Sequence, residues 1–79
     1  MTFGKALDIL KRGGNVSRKG WNGKGMFLEL IKSDAYTIPA DETSTRYKKR
    51  LPWIGMFTAD GGFVPWIASQ TDLLAEDWE

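Results

Sequence analysis

The stretch Gly20-Trp21-Asn22-Gly23-Lys24-Gly25-Met26-Phe27-Leu28-Glu29-Leu30-Ile31-Lys32 decides how this chain folds. Its second half alternates: Phe27, Glu29 and Ile31 fall on one side, Met26, Leu28 and Leu30 on the other, which is the period of a β-strand. Both sides carry apolar residues. One face is therefore expected to take a helix, and the other to form a subunit interface or a ligand floor. The first half places glycines at 20, 23 and 25 around an indole, an amide and an ammonium, with Arg18 and Lys19 just before. Glycine admits positive φ and lets a ligand come close to backbone N–H groups. The side chains between offer a stacking face, a donor–acceptor pair and a charge. Two readings stand: a loop that holds a nucleotide or another planar anion, and a tight hairpin whose Trp21 plugs the core, since Trp is mostly buried and Asn-Gly is a hairpin signal.

On the N-terminal side of this stretch, Thr2 to Arg12 reads as a helix. Thr2 can cap it, Phe3, Ala6, Leu7 and Leu10 share a face, and Gly13-Gly14 ends it. Asn15 to Lys19 is a short candidate strand. On the C-terminal side, Ser33 to Pro52 looks irregular and closes with the basic run Arg46-Tyr47-Lys48-Lys49-Arg50. A segment of this length without regular structure is usually functional or disordered, so it reads either as a solvated loop or as a lid whose cations close over anionic groups. Trp53 to Ala59 and Phe63 to Ile67 flank Asp60-Gly61-Gly62, a hairpin signal. Pro65 inside the second of these strands predicts an edge or a bulge. Ser69 with Asp72 is a capping pattern for a short helical turn, and Trp78 is a candidate for the start of a last short strand. The fold class expected is α+β: an N-terminal helix packed on one antiparallel sheet of four to five strands, with a short helical turn near the C-terminus.

Composition narrows the functions available. Residues 1–79 make a single domain with a small core. The chain has no cysteine and no histidine, which removes disulfides, thiolate metal sites, the commonest general base and the commonest zinc ligand. No cofactor and no metal site are expected. Four tryptophans and four phenylalanines are many for this length, and part of that area is expected at a subunit interface or a ligand face, which predicts a homo-oligomer. The net charge of +1 argues against a stable nucleic-acid partner. The charge is uneven, though: residues 11–24 hold five basic side chains and no acid, while Asp72, Glu76, Asp77 and Glu79 crowd the C-terminus. No apolar run approaches a membrane span and the N-terminus lacks the apolar segment of a signal peptide, so the expectation is no membrane partner and a cytoplasmic location.

Three stretches go beyond such general patterns: Arg18-Lys19-Gly20-Trp21-Asn22-Gly23-Lys24-Gly25-Met26, the hairpin Thr58-Ala59-Asp60-Gly61-Gly62, and the run from Val64-Pro65-Trp66-Ile67-Ala68-Ser69 through Gln70-Thr71-Asp72-Leu73-Leu74-Ala75-Glu76-Asp77-Trp78. With the opening Phe3-Gly4-Lys5-Ala6-Leu7 they resemble a family of small phage and prophage proteins, the second class of Thoeris anti-defence proteins. The resemblance covers nearly the whole chain apart from the loop between Asp34 and Arg50. It implies a sponge: a non-catalytic oligomer, a tetramer with pockets between chains, that binds the cyclic ADP-ribose isomer made by a bacterial TIR-domain immune enzyme and keeps it intact from its effector inside the infected host cell. Some members of the family also bind cyclic oligonucleotide signals.

The residue chemistry agrees with a cyclic nucleotide ligand without requiring one. Such a ligand offers an adenine to stack, ribose hydroxyls to bond and a pyrophosphate to neutralise. By position, Trp21 is the candidate for stacking or pocket wall. Asn22 and the backbone N–H groups of Gly23 to Gly25 are candidates for polar contacts, and Lys24 or Arg18 for phosphate. Ser69, Gln70 and Asp72 suit ribose and adenine edges, although Asp72 also reads as a plain helix cap. Phe3 reads as helix core or as a side chain reaching into a neighbour's pocket, Trp66 and Trp78 as core. No catalytic residue is expected: Glu29, Asp60, Asp72, Glu76 and Asp77 lie on separate elements, with neither His nor Cys to work beside them. The alternatives kept open are a small phage structural protein and a nucleic-acid-binding module.

Overall fold

The computed structural model describes residues 1–21, 25–32 and 51–79. Helix α1 spans Phe3–Lys11, with the Thr2 hydroxyl accepting from the Lys5 N–H at 3.4 Å. Its end is dictated by glycine. The Gly13 N–H reaches Leu10 O at 3.0 Å and the Gly14 N–H reaches Ile9 O at 2.9 Å, the paired bonds of a Schellman turn. Gly13 takes φ 92° to make them, a conformation that a β-carbon resists.

Four strands follow, β1 (Asn15–Val16), β2 (Phe27–Ile31), β3 (Trp53–Phe57) and β4 (Phe63–Pro65), in one antiparallel sheet of order β1-β2-β3-β4. Helix α2 is short, Gln70–Leu74. The expected α+β class, helix on sheet, is what the chain adopts. Strands β1, β3 and β4 stop two or three residues earlier than expected, β3 at Phe57 and not at Ala59. β4 is an edge strand that ends at Pro65, the residue that cannot donate to a ladder. β1 ends at Val16, but pairing continues irregularly: Ser17 and Glu79 exchange two backbone hydrogen bonds at 2.9 Å, and Arg18 bridges Trp78. Trp78 thus supplies the fragment of a fifth strand. The proposed lid, with Arg46 and Arg50, lies outside the described residues, as do Asn22, Gly23 and Lys24.

The register sorts the sheet's faces. Leu28 pairs with Met56 and with Val16, and Leu30 with Ile54, so these side chains share the face on which α1 lies. Ala6 and Leu10 of α1 meet Val16, Leu28 and Trp78 in the buried core. The opposite face carries Phe27, Phe57 and Phe63 in one cross-strand row, with Ile31 paired to Trp53 further along. The Phe27 and Phe57 rings stack at 4.5 Å, and Phe63 meets Phe57 edge-on at 4.6 Å. Gly55 makes room for this row, because a methyl there would meet Phe63 Cε1 at 2.7 Å.

Candidate functional site

Trp78 is the hub of the site. Its indole is buried, its Nε1–H donates to Asp72 O at 2.9 Å, and its backbone N–H donates to Met1 O at 3.1 Å. Three further rings gather on it: Phe3 at 5.3 Å, Trp21 at 5.5 Å and nearly perpendicular, Trp66 at 6.0 Å and also edge-on. Such T-shaped contacts bring the positive edge of one ring to the negative face of the next. Phe3 also touches Trp66 at 5.8 Å. Phe3 sits in the first turn of α1, so the helix's position sets one wall of the cluster, and Trp21 at the head of the glycine-rich stretch sets another.

Beside the rings runs a charged bracket. Arg18 Nε donates to Asp77 Oδ1 at 2.9 Å, and Arg18 Nη1 donates to Asp72 Oδ1 at 2.8 Å. Asp77 Oδ2 accepts the Gly20 N–H at 3.2 Å. Asp72 Oδ2 accepts the Ser69 N–H at 3.1 Å while the Asp72 N–H donates to Ser69 Oγ at 3.0 Å, completing a capping box on α2. One guanidinium thus ties the segment after β1 to α2 and to the residues just before Trp78.

The bracket fixes the ionisation of its members. Hydrogen bonds to Asp77 and then Asp72 raise the Arg18 pKa further above its already high value. Burial of Asp72 pushes its pKa up, but the bonds from Arg18 and Ser69 together outweigh that and hold it below the ordinary carboxylate value. Asp77 is lowered chiefly by the Arg18 hydrogen bond, against a smaller opposing effect of burial. Both carboxylates are therefore charged wherever the protein is folded near neutral pH.

Phe3, Arg18, Trp21, Ser69, Gln70 and Asp72, singled out from the sequence as ligand contacts, are among the described residues, as is Gly25, which takes φ 84°. Phe3 and Trp21 meet on Trp78, and Arg18, Asp72 and Ser69 form one hydrogen-bonded network. Gln70 opens α2 and, with Leu73 and Leu74, lines a shallow cavity of about 300 Å³. Sequence reasoning did not find the structural part played by Asp77, which counted only as one acid among several. Its partners are far along the chain, so no local spacing announces it. Among the described residues no group of three His, Cys, Asp or Glu side chains is gathered that would suit a metal ion, and no helix is long and apolar enough to cross a membrane.

A helix on a four-stranded antiparallel sheet, with four aromatic rings and a bracketed arginine gathered where the C-terminal segment meets the chain after β1, defines a small α+β domain built around an aromatic cluster. The chain belongs to the Thoeris anti-defense 2-like family, whose domain matches residues 1–79. It is similar to Thoeris anti-defense 2 of Bacillus phage SP01, at 46% identity over 83 residues that cover 100% of this chain and 92% of that protein.

Proposed function

We propose that this chain is a phage anti-defence sponge: it binds a cyclic ADP-ribose isomer made by a TIR-domain immune enzyme and sequesters it without degrading it. Family membership supports the coarser part, a phage protein directed against Thoeris defence. The observation that carries the finer part is Trp21. Its half-buried indole heads the glycine-rich stretch and is held edge-on by a fully buried Trp78, so a flat ligand face has a rigid backing. A base stacked on such a ring contributes about 1–3 kcal/mol. Each charge-assisted bond to phosphate adds about 1.5–3 kcal/mol. Holding a signal away from its effector needs tight binding and no chemistry. Asp72 and Asp77, tied to Arg18 with lowered pKa values, are poorly matched to proton transfer near neutral pH, which supports a non-enzymatic role.

The aromatic row on the sheet face away from α1 supports assembly into a homo-oligomer, which we take to be a tetramer with pockets between chains in the cytoplasm of the infected cell. Phe63 is 38% exposed at the edge of that row. A row of stacked rings is the composition that subunit interfaces favour.

Calorimetric titration with glycocyclic ADP-ribose tests the sponge, followed by heating the complex and weighing the released ligand by mass spectrometry. Binding with an unchanged mass is expected. A changed mass means catalysis, and no heat and no bound ligand removes the reading in favour of a structural or nucleic-acid-binding protein.

A further inference from the structure

We propose that Asp77 is the positioning residue of the Trp21 platform, and that Arg18 is its bracket instead of a direct contact to an anionic ligand. The inference rests on the sponge reading for what binds, but its geometry stands without a ligand. Asp77 uses both oxygens on one short turn, Oδ1 on Arg18 Nε and Oδ2 on the Gly20 N–H. The same turn is closed by the Trp21 N–H donating to Arg18 O at 3.2 Å, and the Lys19 N–H donates to Asp77 O at 3.2 Å. The backbone of residues 18 to 21 is therefore held at its two middle amides and its closing amide, and the side chain at its end is Trp21. Asp77 itself is fixed by its neighbour, the buried Trp78, on whose indole the Trp21 ring rests. Backbone and ring of Trp21 are thus held by adjacent residues of one segment.

The charges point the same way. Arg18 is one cation between two carboxylates, and its side chain is 17% exposed. A phosphate brought to this place would meet two anions and compete for a guanidinium already bonded twice, whereas an uncharged base or ribose meets no such penalty. The neutral part of the ligand therefore faces Trp21 and Asp77, and its phosphates face away from the bracket.

The test is a double-mutant cycle of Arg18→Lys, Asp77→Asn and the pair, read first without ligand by amide and indole NMR and then by titration with glycocyclic ADP-ribose. Asparagine keeps the shape of Asp77 but cannot accept both bonds, and lysine keeps the charge of Arg18 but cannot span two carboxylates. We expect each variant to move the Gly20 amide and Trp21 indole signals while those of the Thr58–Gly62 hairpin stay in place. Each single variant should weaken binding by about tenfold and the pair by no more, since residues acting as one unit are not additive. Unmoved Gly20 and Trp21 signals, additive losses, or full affinity in Arg18→Lys would each overturn the proposal. Should Arg18→Lys fail to fold, the Asp77→Asn signals decide it. A wild-type chain that ignores the ligand sinks the sponge reading alone, because the ligand-free spectra still judge the positioning role.

Discussion

A single indole, that of Trp78, closes the core, supports two other tryptophans and donates to the carbonyl of Asp72. Trp78→Phe keeps a ring but removes the indole donor, leaving that carbonyl only the longer bond from the Ala75 N–H at 3.4 Å, and opens space beside Phe3. The loss of the bond alone should cost about 0.5–1.5 kcal/mol, read as a lowered urea midpoint. Gly13 makes a second prediction at this scale. With φ at 92°, Gly13→Ala should destabilise by about 1 kcal/mol or somewhat more, whereas the same change at Gly4, in the first turn of α1 with, among the described residues, only the Thr2 hydroxyl within 4 Å, should be neutral or favourable. Features of this kind were legible in the sequence where they are local: the Thr2 cap, the Gly13-Gly14 stop and the Ser69–Asp72 box all lie within a few residues of what they bind. Arg18 was legible only as a basic residue near glycines. That it is spoken for by Asp72 and Asp77, which are 54 and 59 residues away, follows from tertiary packing that no short pattern encodes.

At the scale of elements, α2 is too short to persist by its own propensity and is held by its cap and by Arg18. Ser69→Ala should cost about 0.5–2 kcal/mol and loosen Asp72 with it. Acid should do the same by another route. Asp72 and Asp77 titrate below the unfolded carboxylate value of about 3.9, so the folded state holds fewer protons than the unfolded one in that range. Their contribution is fully present above about pH 5 and drains away as the pH falls through the ordinary carboxylate value towards the lowered ones. Urea midpoints measured from pH 6 downwards should therefore fall less steeply for Asp72→Asn and Asp77→Asn than for the wild type. The strands were legible from alternation in β2 and from the turn residues between β3 and β4. Their ends were not: β1 leaves its ladder with β2 at Val16, where the polar Ser17 turns to pair with Glu79 instead, and β4 stops at Pro65, which cannot donate to a ladder, although apolar Trp66 and Ile67 follow.

For the molecule as a whole, the sheet has two apolar faces and, among the described residues, only one helix of any length to cover them. The α1 side makes the buried core, and the Phe27, Phe57 and Phe63 row makes the other face. Phe63→Asp should leave the core side intact and reduce the mass seen by light scattering to that of a monomer, if the row is where copies meet. Glycine at 55 belongs to that arrangement, since a side chain there would collide with the far end of the Phe63 ring. The sequence showed that β2 is apolar on both sides and that the chain carries more aromatic area than a small core uses. It did not show which aromatic residue belongs to which face, which depends on the register of β3 and β4 against β2.

The perpendicular indoles of Trp21, Trp66 and Trp78 have an optical consequence. Chromophores at 5.5 and 6.0 Å with crossed planes share their excitation, and the sharing gives a paired positive and negative band in ultraviolet circular dichroism whose size follows their mutual distance and tilt. The protein therefore carries an unlabelled ruler at its own candidate site: any molecule that shifts Trp21 against its buried neighbour changes the colour the protein absorbs and the handedness with which it absorbs it.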